Sequence, residues 1–256
     1  MIELMVPHQV ALLMISNQAG AVEVYDIDGN VQTDTSGGPV VLDRIRGDVR
    51  VHTGLGEILL GSIGGSVQCS SGGGRIELIQ AAGEANCITG GGDIDVQFVG
   101  GNLVVSTEGG NIHVGKAGGI VRAKSLAGLV EVEDARGKVF ADSAAGAVRV
   151  RGGSGPLTVS AMMGSILAEL LNGGPFANSS LMSGSGDITV LIPAGMGMAV
   201  RARNGSGMMP RIVSDFPEME ARSVGFRAPG MVGTIQGGGP TLDLNTNGVV
   251  YLRRAK

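Results

Sequence analysis

Glycine recurs at every ninth position from Gly20 to Gly164, seventeen times without interruption. Two residues after each one stands an apolar residue: Val22, Val31, Val40, Val49, Ile58, Val67 and Ile76 open a series that runs on through Val148, Leu157 and Ile166. A second small or apolar residue usually follows two later, as in Ile58/Leu60, Ile94/Val96 and Val148/Val150. Alternation of this kind is a strand with one buried face. A period of nine residues is too short for a helical repeat and fits one short strand plus one tight bend.

The nine-residue units alternate between two kinds, so the structural period is 18. One kind carries Thr or Ser six residues after its glycine: Thr35, Thr53, Ser71, Thr89, Thr107, Ser125 and Ser143. The other carries an aliphatic residue seven after its glycine, as in Ile27, Ile45, Ile63 and Val99. The expected fold is therefore all-β: a single-stranded parallel β-solenoid (β-helix) in which each coil contributes two short strands and two different corners, and like stacks on like. Glycine at a corner has two possible causes, a positive φ or a bend too crowded for a Cβ. Neither is a phosphate-binding loop, which needs a glycine-rich turn opening a helix.

Three regions follow from where the register holds. Residues 1–19 are expected to form N-terminal capping strands, residues 20–190 the solenoid, and residues 191–256 a C-terminal β cap continuous with it. The spacing slips after Gly164, where Phe176 and Ile188 fall ten and twelve residues beyond their predecessors. Prolines then cluster at 193, 210, 217, 229 and 240, and Thr241–Leu244 and Val249–Leu252 read as closing strands. An uncovered solenoid end exposes unpaired backbone, so the chain is expected to be monomeric or to associate end to end.

Glycine at 46 of 256 residues would ordinarily suggest disorder, but its strict spacing between Val and Ile argues against that. The formal charge is −4 and no basic stripe with interleaved aromatics appears, so nucleic acid is not an expected partner. No run of 18 apolar residues exists, so no membrane-spanning helix is expected. Met1–Gly20 lacks a basic leading region and reads as strands rather than as a signal peptide. Cys69 and Cys87 lie 18 apart and are expected to stack inward as small hydrophobes.

The C-terminal third carries a resemblance. Ser185-Gly186-Asp187-Ile188-Thr189-Val190-Leu191-Ile192-Pro193, Ala202-Arg203-Asn204-Gly205-Ser206-Gly207, Ser214-Asp215-Phe216-Pro217 and Thr234-Ile235-Gln236-Gly237-Gly238-Gly239-Pro240-Thr241-Leu242-Asp243-Leu244 resemble the bacterial adhesin-like β-strand-repeat family, a domain of unknown function. The Gly-x-Val-x-Val coils extend the likeness over nearly the whole chain. Asn245-Thr246-Asn247-Gly248-Val249 departs from the Ser-Gly-Asp-Ile type of turn more usual there. The resemblance implies an extracytoplasmic, cell-envelope location and an envelope protein or glycan as partner. It implies no catalytic residue and no cofactor.

The strongest surface candidates stand one residue after the apolar anchors: Glu77, Asp95, His113, Glu131 and Arg149 in successive coils, with Asp93 beside Asp95. Glu77, Asp93, Asp95 and His113 are residue types that hold cations or act as acid and base. A flat sheet does not converge the roughly six oxygens a hard cation wants, so a solvated polar face is expected instead, with neither a metal nor a catalytic site. Glu131/Arg149 and Glu133/Arg151 are each 18 apart and are expected to stack as ion pairs. The Ser/Thr series is expected to satisfy corner backbone groups rather than to form an outward ice-binding ladder. Calcium-binding nonapeptide repeats share the period but need an aspartate in every corner, which these corners lack. Three functions stand open: an adhesin-like structural module, a ligand- or peptide-sensing regulatory domain, and a β-helical carbohydrate-active enzyme, which would need a cleft with two acids.

Overall fold

The structure, a computed structural model, describes residues 7–171, 176–205, 212–223 and 229–255. Every regular element among them is a strand, and the strands form two sheets, 14-stranded sheet A and 12-stranded sheet B. The chain alternates between them: Leu12–Asn17 lies in A, Val22–Ile27 in B, Asn30–Thr35 in A, and so on upward. Within each sheet residue n pairs in parallel with residue n+18, as in Val31↔Val49, Ile94↔Ile112 and Cys69↔Cys87. The result is a β-solenoid of about ten turns and about 18 residues per turn.

The core is thin and continuous. Aliphatic columns from both sheets meet between them, with Val40, Ile58, Ile76, Val130 and Val148 each fully buried. Sheet A strands bury every other residue; Leu103–Thr107 buries Leu103, Val105 and Thr107. Sheet B strands differ. In Ile94–Val99 the buried residues are Ile94, Val96 and Val99, so two successive residues, Gln97 and Phe98, face away from the core. That extra outward step brings the strand's last aliphatic residue back to the core before the corner. In two early coils the step carries a left-handed backbone at a non-glycine residue, φ 59° at Asp26 and 55° at Arg44, a conformation that is strained for any residue with a Cβ.

Most of the repeated glycines are explained by crowding, while Gly20 and Gly38 take a positive φ, 105° and 119°. A Cβ on Gly110 would stand 2.1 Å from the Gly92 carbonyl oxygen, and one on Gly128 2.0 Å from that of Gly110. Corners of successive coils touch backbone to backbone, leaving no space for a side chain. The hydroxyl series completes these corners. Ser125 Oγ donates to the Gly110 carbonyl of the previous coil at 2.9 Å and accepts the Gly128 N–H of its own at 2.9 Å. Ser71 and Ser143 do the same between Gly56 and Gly74 and between Gly128 and Gly146. The role expected of these hydroxyls is the one they hold, as a buried spine joining coil to coil. Ala161, stacked between Ser143 and Ser183, interrupts it.

The chain ends depart from a simple stack. Leu12–Asn17 is in register with Asn30–Thr35 (Leu12↔Asn30), so it begins the solenoid rather than lying across its end. Residues 1–6 lie outside the described residues. Beyond Leu170 the pairing offset widens to 22, as between Leu157 and Ser179, and the added length falls between Ile166–Leu170 and Ser179–Ser183. At the far end, spatial order and chain order part. Thr241–Thr246 sits between Ser179–Ser183 and Met198–Asn204 in sheet A, and Val250–Arg254 between Ile188–Ile192 and Ile212–Ser214 in sheet B. The last strands in sequence therefore form an enclosed coil. The end is closed by Met198–Asn204 with the antiparallel strands Pro229–Ile235 and Met219–Ser223. Thr246 takes the spine position of this coil, donating to the Gly186 carbonyl at 2.5 Å and accepting the Gly248 N–H at 2.9 Å.

Candidate functional site

Parallel register places Glu77, Asp95, His113, Glu131 and Arg149 side by side on the outer face of sheet B. Each occupies the second position of its strand, between two core residues, so the alternation that seals the core also aligns the charges. His113 Nδ1 lies 3.2 Å from Asp95 Oδ1, and its Nε2 lies 3.5 Å from Glu133 Oε1. Arg75 reaches Glu77 at 3.3 Å and Asp95 at 3.6 Å. Burial of the His113 ring would lower its pKa, but hydrogen bonds to Asp95 and Glu133 and the charges of both outweigh it. The net effect is a rise above the ordinary 6.5, which keeps the imidazole protonated into a higher range.

The expected pairing is altered at the top of this column. Glu131 and Arg149 are register partners, but the ion pair to Glu131 comes from Arg151, at 3.3 Å. Glu133 faces His113 instead of Arg151. Register is not the cause, since Val130↔Val148 through Ala135↔Gly153 all pair 18 apart. The long Arg151 side chain, two residues beyond Arg149 on the same strand, reaches diagonally to Glu131.

Asp93 does not join this group. Its Oδ1 accepts the Asn111 backbone N–H at 2.6 Å, Asn111 Oδ1 accepts that of Leu129 at 2.8 Å, and Asp187 Oδ1 accepts that of Val249 at 2.8 Å. It belongs to a ladder that caps exposed corner N–H groups along the solenoid axis. Among the described residues no three His, Cys, Asp or Glu side chains are grouped to hold a metal ion. Glu77, Asp95 and His113 share one face and Asp93 serves the corner. The face can store charge and a proton; its carboxylates are engaged by Arg75, His113 and Arg151 rather than directed at a common point.

Two further arrangements were not singled out in the sequence. His52 Nδ1 lies 2.8 Å from Ser70 Oγ on the outer face of sheet A. Asp34 is the register partner of His52, yet His52 has no carboxylate within 4 Å among the described residues, so the imidazole is not oriented as a serine-activating base would be. A shallow groove near the N-terminal end is lined by His8, Asp26, Asp28, Arg44 and Arg46. Arg44 holds Asp26 through Nε at 2.5 Å and also contacts Asp43, while Arg46 meets Asp28 at 3.3 Å. The Arg44 hydrogen bond keeps the Asp26 carboxyl below the usual carboxylate range. The 18-residue spacing of Asp26 and Arg44 in the sequence is the signal that brings them together.

No helix among the described residues is long and apolar enough to cross a membrane. No protein-family model, curated protein or solved structure matches the chain.

Proposed function

We propose that this chain is a non-enzymatic, adhesin-like structural module of a bacterial envelope or surface protein, which presents side chains on rigid flat faces. The observation that carries this reading is the minimal corner. From Gly29 to Gly164 successive turns touch backbone to backbone, which leaves outward side chains on two flat sheets rather than in a concave cleft of the kind that holds small molecules. The extracytoplasmic location and the envelope partner rest on the resemblance of the C-terminal block to adhesin-like repeats. The test is a pull-down of isolated bacterial envelope fractions by the immobilised protein, run beside a polysaccharide-hydrolysis screen. Saturable retention of an envelope component without turnover supports the proposal. Turnover of any polysaccharide that is lost in Asp95→Asn would make the chain a β-helical enzyme. Retention of nothing across envelope fractions would remove the adhesive reading.

A further inference from the structure

Arg44, Arg46, Arg75, Lys116, Arg151 and Arg253 form ion pairs, while other cations, Arg136 and Arg149 among them, have none among the described residues. On the outer face of sheet A, in the coils of Val121–Ser125 and Val139–Ser143, unpaired cations gather. Arg122, Lys124 and Lys138 have no carboxylate oxygen within 4 Å among the described residues. Two of them rest on one ring: the Arg122 guanidinium carbon lies 4.8 Å and Lys138 Nζ 4.4 Å from the centre of Phe140. The ring is an outward phenylalanine in a column otherwise built of residues such as Asn86, Val104 and Thr158. A cation held against an aromatic face keeps its charge while losing conformational freedom. Arg122 and Lys138 are thus pre-positioned and unneutralised.

We propose that this face binds an acidic polysaccharide, a polymer carrying one carboxylate per uronic-acid residue. The inference rests on the adhesin-like reading and deepens it by naming the ligand class. Three cations meet one carboxylate on this face, Asp142, which stands beside Lys124 in register. A sparse positive field of this kind suits a polymer of low charge density. A nucleic acid, with a phosphate at every step, draws its affinity from many such contacts and would meet Asp142 unfavourably. Hydroxyls stand at neighbouring outward positions, Ser106 beside the apolar Val104 on one side and Thr158 and Ser160 on the other, and match the hydroxyl groups of a sugar chain. Outward residues of successive coils stand at roughly 4.8 Å steps, so an extended polymer lying along the axis passes from these cations onto the flanking hydroxyls.

The experiment is titration of the whole protein with polygalacturonate, with dextran as the neutral control and single-stranded DNA as the competing polyanion. The triple variant Arg122→Gln/Lys124→Gln/Lys138→Gln is compared with Arg46→Gln/Lys116→Gln, which removes two cations elsewhere. Expected are binding of polygalacturonate but not dextran, at least tenfold weakening in the triple variant, and near-parental affinity in the double variant. The affinity should also fall as salt rises. Equal weakening in both variants, or tighter binding of DNA than of polygalacturonate, would overturn the proposal. If polygalacturonate fails to bind while envelope fractions are still retained, the ligand class is wrong and the adhesive reading stands; if neither is retained, both fall. Circular dichroism and the urea midpoint of each variant confirm that the fold is kept.

Discussion

The corner spine makes opposite predictions at two positions, two coils apart. Ser125 is 1 % exposed and holds two backbone groups, the Gly110 carbonyl and the Gly128 N–H, both at 2.9 Å. Ser125→Ala keeps the backbone and the small volume but strands both groups at a corner where stacked glycines exclude water. Each unsatisfied buried group costs about 1–3 kcal/mol, so the loss for the two groups is expected at about 2–6 kcal/mol. Ala161 sits in the same column, 1 % exposed, between Ser143 and Ser183. Ala161→Ser supplies the missing hydroxyl to the Gly146 carbonyl and the Gly164 N–H, in the geometry its neighbours already use. The expected gain is about 0.5–1.5 kcal/mol, the net worth of a typical hydrogen bond. Urea unfolding reads both as shifts of the midpoint at unchanged slope, and hydrogen exchange at the Gly128 amide reads the first locally. A Ser125→Ala loss below about 0.5 kcal/mol, the range of a neutral surface change, together with an Ala161→Ser penalty, would refute the spine.

Four further outcomes follow from the same geometry. Gly110→Ala places a Cβ 2.1 Å from the Gly92 carbonyl oxygen and should cost about 1–3 kcal/mol or more by forcing coils apart, read as a lowered midpoint. Thr33 is buried with its hydroxyl unpartnered; Thr33→Val should stabilise by about 1 kcal/mol, again by urea titration. Because the His113 pKa is raised on folding above 6.5, its contribution to stability is complete below that value and is lost as pH rises through the folded one; His113→Ala should remove this fall from a pH series of unfolding midpoints. Burial and a hydrogen bond that the thiol donates to Cys87 push Cys69 well above its ordinary pKa, and Cys87 is fully buried, so both cysteines should resist an aromatic disulfide reagent at pH 8 in the native state and react once urea unfolds the chain.

Much of the fold was legible because the solenoid is a one-dimensional object. A glycine every nine residues, aliphatic anchors two later and a hydroxyl in alternate units fix the coil length, the strand faces and the corner contents. Sequence left the cause of the glycines open; contact between neighbouring corners decides it for most of them, and a positive φ applies at Gly20 and Gly38. What escaped was whatever breaks the period. The widened offset after Leu170 is one such break, and side-chain reach is another unread feature, since Arg151 rather than its register neighbour Arg149 reaches diagonally to Glu131. The enclosed C-terminal coil was legible as strands but not in its place: Leu242 and Leu244 carry the same alternation whether they close the stack or fill a gap within it. Among the surface candidates, the alignment of Glu77, Asp95 and His113 follows directly from the 18-residue period. The separate duty of Asp93 does not, since its side chain runs along the axis to a backbone N–H. Cations meeting Phe140 from two coils became visible only once the outward columns were laid side by side.

Pulsed electron paramagnetic resonance between spin labels on one outward column of sheet A tests the winding most directly. A label at Gln32 is paired in turn with one at Asn86, Arg122 or Thr158, three, five and seven coils away along the register. At about 4.8 Å per coil the separations should rise linearly, to roughly 14, 24 and 34 Å before the label arms are added. A series that plateaus, or that places Thr158 nearer to Gln32 than Arg122 is, would mean the chain does not wind with a constant step, and the flat faces built on that step would go with it.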